Sequence, residues 1–469
     1  MRILGACVPV LGFTAALLAQ SPGLEGLWQG SLDVGAMKLR LALHVSKAAD
    51  GKLTGTMDSI DQGANGIPID SITQEQDAVR FQITRIGGSY EGAMNAAKSQ
   101  IEGKWTQGGM SLPLTFARTD KLPELVRPQD PKKPYPYNEE DVTYENKKAG
   151  VKLAGTFTWP RTLGPFPAVL LITGSGPQDR NEALLGHRPF LVLSDHLTRH
   201  GIAVLRVDDR GVGGSTGSTM NSTTEDFAGD VLAGIEYLKS RKEVNVAQIG
   251  LIGHSEGGLI APMVAANSSD VAFIVMMAGP GMRGDEILTA QGEALGKASG
   301  EPAGVIAKNR ELQEQMFAII RSEHDTAVME KKMREAWART MAQLPEADQK
   351  SMNAPGALDA QIKMTLTPWF RYFINYDPVP ALKKVKCPVL AMNGEHDRQV
   401  PTGNLAKIAA ALEAGENKDY EIVKLAGLNH LFQTSKTGSI EEYAQIPETL
   451  SPVALELISE WILRHTAKQ

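Results

Sequence analysis

Residues 248–261 read Gln-Ile-Gly-Leu-Ile-Gly-His-Ser-Glu-Gly-Gly-Leu-Ile-Ala: a short apolar strand, a glycine-rich turn and the start of a helix of small residues. In the turn, Gly253 and Gly257 flank Ser255, which is the G-x-S-x-G pattern of a nucleophile elbow. We expect a turn so tight that a side chain at either glycine would collide with the neighbouring strand or helix. The serine would then be held in a strained conformation, with a helix N-terminus behind it that favours developing negative charge. The stretch predicts a nucleophilic serine, and the alternative is an incidental serine in a glycine-rich turn.

On both sides of this stretch, apolar strands alternate with helices. The predicted strands are 151–159, 168–172, 202–207, 271–277, 388–392 and 420–425, and the predicted helices are 191–199, 224–242, 404–414 and 452–464. Continuous apolar strands such as 168–172 are typical of sheets that are buried on both faces. The alternation predicts an α/β fold with a doubly wound, mainly parallel sheet, formed by residues 141–280 and 387–469.

Residues 281–386 separate two strands of this sheet and are too many for a plain loop. Within them, the stretch 303–346 is an amphipathic helical segment with Met316, Ile319 and Ile320 on one face. The segment leaves the sheet at the carboxyl end of a strand, where ligands bind in sheets of this kind. We therefore predict a helical cap over the site, and the alternative is an insertion with no role there.

Residues 21–120 show the alternation of half-buried β-strands. Leu39, Leu41, Leu43 and Val45 alternate with polar residues, and turns rich in Gly, Asp and Asn separate this segment from similar ones. The pattern predicts an antiparallel β domain, either a small barrel or a sandwich. It contains no cluster of His, Asp or Glu at catalytic or metal-ligand spacing. We favour a structural accessory role, with carbohydrate or lipid binding, dimerisation and shielding of the active-site mouth as alternatives.

Prolines mark the boundary between the two regions. Five of them occur among charged residues within the segment 121–140: Pro123, Pro128, Pro131, Pro134 and Pro136. This composition predicts a stiff, extended linker.

The first twenty residues form a unit of their own. Arg2 precedes an apolar run over 3–19, and a short polar segment follows. The order predicts a secretory signal peptide over residues 1–20, and hence a periplasmic or secreted protein, rather than a retained membrane anchor. Removal of that peptide would leave Cys387 as the single cysteine, so no internal disulfide is expected.

Composition and charge limit the partners of the chain. Apolar residues make up 42% and charged residues 22%, so the chain is neither disordered nor of low complexity. The formal net charge of −6 argues against a nucleic-acid partner. No later stretch has eighteen unbroken apolar residues, so no stable membrane span is expected once the signal peptide is removed. A homo-oligomer remains an open alternative.

A serine hydroxyl becomes a good nucleophile when a base takes its proton, and the base needs a carboxylate to fix its tautomer. Behind an elbow of this kind, the order along the chain is serine, acid, histidine, and the acid follows a late strand. Asp397 stands just past the predicted strand 388–392, with Glu395 as the reserve candidate. Only His430 and His465 lie beyond Asp397, and His465 falls in the last turn of the C-terminal helix. His430, in the loop after the final strand, is therefore the predicted base.

The negative charge that develops on an attacked carbonyl oxygen needs two preorganised N–H donors. One should be the backbone N–H of Glu256, directly after the nucleophile. The other should come from the loop 173–180, which follows an inner strand. The proline in that loop has no N–H, so the alternatives are Ser175, Gly176 and Gln178, among which we favour Ser175.

A second glycine-rich loop covers residues 208–215 and begins with Asp208, Asp209 and Arg210. Its glycine spacing matches neither a P-loop nor a dinucleotide fingerprint. We interpret the three charged residues as ion pairs that hold the loops beside the site. A direct substrate contact by Arg210 is the alternative.

Five ordered pieces of the chain resemble those of the α/β-hydrolases, and in particular of bacterial EstD-type carboxylesterases, with serine-aminopeptidase-like hydrolases as wider relatives. The pieces are GSGPQDR at 174–180, DRGVG at 209–213, GHSEGG at 253–258, GEHD at 394–397 and NH at 429–430. The resemblance spans about 142–465. It implies an α/β-hydrolase fold and an esterase of short to medium acyl chains that needs no cofactor and no metal. It does not extend to the N-terminal β domain or to most of the cap, so it leaves the substrate open.

The predicted function is therefore that of a serine carboxylesterase that acts on a small-molecule ester. A peptidase or amidase of small peptides is the alternative, which an acidic cluster that binds a free amino terminus would support. The cap offers Glu311, Glu314 and Glu323 for such a cluster. A non-catalytic binding protein on a hydrolase scaffold is the alternative of another class, and it is disfavoured because every triad position is filled.

Overall fold

The computed structural model describes residues 23–467 apart from 35–37, 63, 108–109, 123–125, 346–348 and 350–356. Its strands form two sheets, one of nine strands near the N-terminus and one of eight strands in the remainder of the chain. The predicted signal peptide, residues 1–20, lies outside the described residues. Over the described part of the chain, no helix is long and apolar enough to cross a bilayer.

The N-terminal sheet is antiparallel throughout, and a 3-10 turn at Thr84–Ile86 lies between its sixth and seventh strands. Its strands are β1 (Gly26–Asp33), β2 (Lys38–Lys47), β3 (Leu53–Ser59), β4 (Ala64–Pro68), β5 (Ser71–Glu75), β6 (Ala78–Ile83), β7 (Gly88–Met94), β8 (Gln100–Gln107) and β9 (Met110–Thr119). They are arranged in the order β4-β3-β2-β1-β9-β8-β7-β6-β5. The prediction of an antiparallel β region at this end of the chain is confirmed.

Aromatic side chains fill the core of this sheet. The rings of Phe81 and Tyr90 stack with centroids 5.0 Å apart, and Tyr90 meets Phe116 edge to face at 5.3 Å. Ile72 of β5 lies against Gly55 of β3, although these two strands are near opposite ends of the sheet. The sheet therefore curls around one apolar core.

The second sheet, its helices and the helical insertion follow in chain order. They are β10 (Asn138–Asn146), β11 (Val151–Trp159), β12 (Phe166–Ile172), α1 (Pro189–Arg199), β13 (Ala203–Val207), α2 (Thr224–Lys239), β14 (Val244–His254), α3 (Glu256–Ala265), β15 (Phe273–Met277), α4 (Gly284–Ala298), α5 (Ala303–Ser322), α6 (Thr326–Met341), α7 (Ala357–Thr365), α8 (Pro368–Asn375), α9 (Val379–Leu382), β16 (Val389–Gly394), α10 (Gly403–Ala414), β17 (Tyr420–Leu425), α11 (Ile440–Tyr443) and α12 (Pro452–Thr466).

The strand order of this sheet is β10-β11-β13-β12-β14-β15-β16-β17. Six neighbouring strands, β13-β12-β14-β15-β16-β17, run parallel to one another. At the other end of the sheet, β11 is antiparallel to both of its neighbours. This arrangement confirms the predicted doubly wound, mainly parallel sheet.

The apolar run in β12 shows why the strands of this sheet contain few polar residues. Ala168 and Leu170 belong to the core on one face of the sheet, whereas Val169 and Leu171 belong to the core on the other. Because successive side chains point to opposite faces and helices cover both faces, every position from Ala168 to Ile172 is buried.

The helical insertion, α4 to α9, lies between β15 and β16. The amphipathic stretch predicted at 303–346 forms two helices rather than one, because residues 323–325 are not helical. Asp325 caps the second helix by accepting the backbone N–H of Val328 at 3.0 Å. Met316, from the predicted apolar face, is buried in a core that belongs to the insertion.

The predicted linker differs from the structure at its C-terminal end. Residues 138–140 belong to β10, which pairs with β11 as the edge strand of the second sheet, where polar residues can face solvent. The preceding residues 126–137 pack against the domain of that sheet. Arg127 donates to the carbonyl oxygens of Leu185 at 3.0 Å and Ala444 at 2.8 Å. Hydrogen bonds therefore hold this segment against the domain of the second sheet, and the predicted stiffness of the linker stays a prediction.

Substitution of Trp461 would test how α12 packs on the sheet. Its side chain is 1% exposed and meets Phe273 of β15 edge to face, with ring centroids 6.0 Å apart. We expect Trp461→Ala to lower the free energy of unfolding by about 3–5 kcal/mol, because a close-packed core cannot fill the cavity. Denaturant unfolding followed by circular dichroism measures the change. Val453→Ala on the same helix, at a residue 63% exposed, should cost less than about 0.5 kcal/mol, and equal losses in the two variants would contradict the packing.

Candidate active site

The elbow is a turn of one residue. β14 ends just before Ser255 and α3 begins just after it, and Ser255 has a φ of 52° and a ψ of −116°, which side-chain-bearing residues seldom adopt. An ideal Cβ on Gly253 would lie 1.9 Å from the carbonyl oxygen of Gly257. A Cβ on Gly257 would lie 2.1 Å from the carbonyl oxygen of Ile172. The predicted collisions at both glycines are therefore confirmed, and Ser255 occupies the tip of the turn.

His430 and Asp397 meet at the carboxyl ends of the last two strands. Nδ1 of His430 lies 2.9 Å from Oδ2 of Asp397, and both residues are buried. Oδ1 of Asp397 accepts the backbone N–H groups of Gln399 and Val400, each at 2.8 Å. A carboxylate held by these donors stays in place as an acceptor, so Nδ1 of His430 carries the proton and Nε2 is free to accept one.

Ser255 and His430 line one cavity of about 240 Å³. An ideal Cβ on Gly174 would lie 3.3 Å from Cβ of Ser255, so the loop after β12 is beside the serine. Among the described residues, the Ser255 hydroxyl and the His430 ring share this cavity without a mutual hydrogen bond. The helical insertion contributes side chains to the wall of the cavity: Ile287, Leu288, Gln291, Trp369 and Phe373.

The other candidates for acid and base lie elsewhere. Glu395, the reserve acid, has a half-exposed side chain with Oε1 3.5 Å from Nζ of Lys424. His465 lies near the end of α12, with Nε2 3.3 Å from Oδ1 of Asp419. Neither residue lines the cavity that contains Ser255.

The predicted oxyanion donors lie on two sides of the serine. Glu256 is the first residue of α3, where a backbone N–H has no acceptor within the helix. Ser175 lines the cavity from the loop after β12. Gln178, one of the alternatives, donates its backbone N–H to Oδ2 of Asp209 at 2.9 Å and is therefore excluded as a donor. Ser175 and Gly176 remain.

Two of the three charged residues after β13 form the predicted ion pairs. Asp208 is held by Arg180, with Oδ2 2.7 Å from Nη2 and Oδ1 3.0 Å from Nε. Arg210 is held by Asp230, with Nε 2.7 Å from Oδ2 and Nη2 2.8 Å from Oδ1. These pairs fix the loop beside the site.

The ion pair predicted for Asp209 is wrong. Its carboxylate accepts the hydroxyl of Thr173 at 2.8 Å and the backbone N–H of Gln178 at 2.9 Å. The Asp209 side chain contacts neutral donors of the loop after β12, whereas Asp208 reaches Arg180 and Arg210 reaches Asp230. Burial raises the pKa of Asp209 to about 7.

The side chain of Glu256 has a structural role that no sequence pattern indicates. It is 2% exposed and accepts Trp369 Nε1, at 2.8 Å and 3.0 Å from its two oxygens, and the hydroxyl of Thr224 at 2.7 Å. Burial raises the pKa of this carboxyl group. Because Trp369 belongs to α8, the pair ties the helical insertion to the residue that follows Ser255.

Among the described residues, one group away from the cavity could hold a metal ion: His196 on α1, His200 directly after α1, and Glu456 on α12. Nε2 of His196 lies 3.0 Å from the hydroxyl of Ser459, and Nδ1 of His200 lies 2.7 Å from the carbonyl oxygen of His196. These hydrogen bonds therefore involve one ring nitrogen of each histidine, atoms that could otherwise serve as metal ligands. The expectation that the chain needs no metal and no cofactor stays a prediction.

Comparison with known proteins places these features in a family. Residues 169–437, more than half of the chain, match the model of the alpha/beta hydrolase family. This span includes the elbow, Asp397 and His430. A solved structure, the alpha/beta hydrolase GrgF of a Penicillium species, aligns with a TM-score of 0.46 at 18% identity over 70% of this chain and 99% of that one.

Two curated relatives match by sequence. Esterase EstD of Thermotoga maritima is 31% identical over 191 residues, which cover 40% of this chain and 46% of that protein. The putative hydrolase YtaP of Bacillus subtilis is 34% identical over 122 residues, which cover 23% of this chain and 41% of that protein. The chain thus spans less than half the length of the curated relatives it matches. The resemblance to EstD-type proteins read from the motifs is confirmed.

Trp369 provides a test of the link between the insertion and α3. We expect Trp369→Phe to lower the free energy of unfolding by about 1–3 kcal/mol, because it leaves a buried carboxylate with one donor fewer. Denaturant unfolding measures the loss. Trp337→Phe is the matched control, since it makes the same change elsewhere in the insertion. A loss in Trp369→Phe no larger than in the control would contradict the role of the Glu256 contact.

Asp209 makes stability depend on pH. With a folded pKa of about 7, above its usual 3.8, the folded chain keeps a proton between these values that the unfolded chain has lost. The free energy of unfolding should therefore fall as pH rises from about 4 to 7, by up to about 1.4 kcal/mol per pH unit. Asp209→Asn should flatten this slope in denaturant titrations at several pH values. The exposed Asp50→Asn should leave it unchanged, and an unchanged slope in Asp209→Asn would refute the assignment.

Proposed function

The chain belongs to the alpha/beta hydrolase family, and from this premise we propose that it is a serine carboxylesterase of small-molecule esters with short to medium acyl chains. The observation that carries the proposal is the single cavity of about 240 Å³ lined by Ser255 and His430. The strained turn projects the serine hydroxyl, and the buried carboxylate of Asp397 orients the imidazole. The curated name of the esterase relative supports the reaction class.

In the proposed acylation step, Ser255 Oγ attacks the ester carbonyl carbon while Nε2 of His430 takes the hydroxyl proton. Asp397 stabilises the imidazolium that forms. The carbonyl oxygen becomes an oxyanion, which the backbone N–H groups of Glu256 and Ser175 would bind, with Gly176 as the alternative to Ser175. His430 then gives its proton to the departing alkoxide, the C–O bond breaks, and an alcohol and an acyl-serine result.

Deacylation repeats these steps with water. His430 takes a proton from the water molecule as it attacks the acyl-serine, and the oxyanion forms at the same N–H donors. Collapse of this second intermediate returns the proton to Ser255 Oγ and releases the carboxylic acid. Every proton that leaves the serine or the water therefore passes through one nitrogen atom, Nε2 of His430.

The wall of the cavity supports an ester with an apolar acyl part. Ile287, Leu288 and Phe373 come from the insertion and Leu431 follows the base, so that the wall includes apolar side chains beside polar ones such as Gln291 and Gln399. We propose that the insertion acts as a cap, which supplies this apolar surface and excludes water from the acyl group.

The peptidase alternative loses its support in the arrangement of the cap. Glu311 is paired with Lys308 and Glu314 with Arg310, in both cases on exposed helix surface. Glu323 is paired with Lys332. None of the three acids lines the cavity with Ser255, so they offer no cluster for a free amino terminus.

We also propose that the protein is exported, on the basis of the sequence of residues 1–20. Within the described residues, Cys387 has a free thiol, and burial raises its pKa to about 12. A thiol that stays protonated is a poor nucleophile for disulfide exchange, so the mature chain would tolerate an oxidising compartment.

Hydrolysis of a p-nitrophenyl ester series and of aminoacyl-nitroanilides tests the proposal. We expect ester turnover by the wild type, little anilide turnover, and a fall in kcat of about 10⁴-fold or more in Ser255→Ala, because the nucleophile is lost. The ester series also ranks acyl-chain lengths. Dominant anilide turnover would favour a peptidase instead.

Covalent labelling with a fluorophosphonate is an independent check. Mass spectrometry should locate the label on Ser255 in the wild type and find none in Ser255→Ala. Ser268→Ala, at a serine in the loop after α3, is the matched control and should be labelled and active like the wild type. Labelling at another residue, or none in the wild type, would refute the nucleophile assignment.

A further inference from the structure

The wall of the cavity contains a buried chain of hydrogen bonds that the proposed mechanism does not use. Oε1 of Glu182 accepts the backbone N–H of Gly174 at 2.8 Å and lies 2.9 Å from Nδ1 of His254. The other ring nitrogen of His254, Nε2, lies 3.0 Å from the backbone carbonyl oxygen of His430. Glu182, His254 and His430 are each at most 5% exposed, so water does not compete for these contacts.

The partners of His254 determine where its protons lie. A carbonyl oxygen can only accept, so Nε2 must carry the proton that it donates to His430. An ionised carboxylate also only accepts, so Nδ1 must carry a second proton. Oε1 of Glu182 receives the Gly174 N–H as well, so this oxygen acts as an acceptor toward both neighbours. With both nitrogens protonated, His254 is an imidazolium cation.

The charges that face His254 favour this state. Burial alone would lower its pKa, but Glu182, the carbonyl oxygen of His430 and Asp397 act in the opposite direction, and the net result is a raised pKa. The ring of His430 is also close, with its centroid 4.9 Å from that of His254. A cation at this place is balanced by the Glu182 carboxylate, which makes an ion pair without an unpaired buried charge.

We propose that Glu182 and His254 are positioning residues. They form a buried carboxylate–imidazolium pair that holds the loop 173–180 and the backbone of His430 as one unit. The inference rests on the proposed function, which gives those two segments their roles. Because His254 directly precedes Ser255, the pair links the segments that carry the oxyanion donor, the nucleophile and the base. A displacement of about 1 Å between such segments can slow a reaction about 100-fold.

Ring-nitrogen NMR of the histidines tests the protonation state independently of catalysis. At about pH 8 an ordinary histidine, with a pKa of about 6.5, is neutral. We expect one imidazolium pattern in the wild type at this pH, absent from His254→Gln and replaced by a neutral pattern in Glu182→Gln. A neutral His254 in the wild type would overturn the proposed pair.

Kinetics test the positioning role. We expect Glu182→Gln to lower kcat for ester hydrolysis about 10- to 100-fold, with little change in KM, and to slow the labelling of Ser255 by a similar factor. Glu182→Asp keeps the charge and should recover part of the loss. Glu416→Gln is the matched control, since Glu416 also has a positive φ, 61° against 51° for Glu182, but is exposed. Wild-type kinetics in Glu182→Gln would overturn the positioning role.

The two proposals fail in different ways. If the wild type neither hydrolyses esters nor labels at Ser255, the proposed function fails, whereas the NMR pattern of His254 still decides whether the ion pair exists. If Glu182→Gln does not fold, Glu182→Asp and His254→Gln replace it in the same assays. An unchanged kcat and labelling rate in a folded His254→Gln would then overturn the positioning role.

Discussion

The close approach of backbone segments at the elbow is the constraint on which the rest of the site depends. Atoms of Gly257 occupy the space that a side chain on Gly253 would need, and Gly257 itself lies against the carbonyl oxygen of Ile172 in β12. Only glycine permits such contacts, and they draw α3 onto two central strands of the sheet. Ser255 is thereby left at the tip of the turn in a strained conformation. Strain of this kind persists because the buried sheet around it leaves the backbone no other arrangement.

Buried and partly buried carboxylates surround this turn, and each takes hydrogen-bond donors from a different segment of the chain. Asp397 accepts backbone N–H groups from its own loop and the ring of His430. Glu256 accepts a hydrogen bond from the indole N–H of Trp369 in the insertion. Asp209 accepts one from the backbone N–H of Gln178 in the loop after β12. A buried carboxylate without donors is strongly destabilising, so each of these contacts is needed. The loops and the insertion therefore form one hydrogen-bonded unit around the cavity.

The two regions that are added to the α/β sheet meet it in different ways. The insertion lines the cavity with Trp369 and Phe373, so its packing bears directly on which substrates fit. The N-terminal β region instead faces the sheet's domain across a second cavity of about 610 Å³, whose lining includes Arg40, Asp61 and Glu441. The linings of these two cavities have no residue in common. Among the described residues, the N-terminal region therefore supplies no side chain to the cavity that contains Ser255.

The sequence by itself determined most strands and helices of the α/β sheet and their order, because the signals for them are local. The apolar strands, the glycines of the elbow and the order of Ser255, Asp397 and His430 are all read from short segments and from the direction of the chain. Tertiary structure alone decided the contacts between residues far apart in sequence, such as Glu182 with His254, 72 positions apart, and Glu256 with Trp369, 113 positions apart. It also showed that the N–H of Gln178 is occupied and that, in the part of the chain that the structure describes, Asp209 has no cationic partner. The physical reason is that a buried polar group takes whichever donor the packing of loops brings within about 3 Å, and no local pattern encodes that choice.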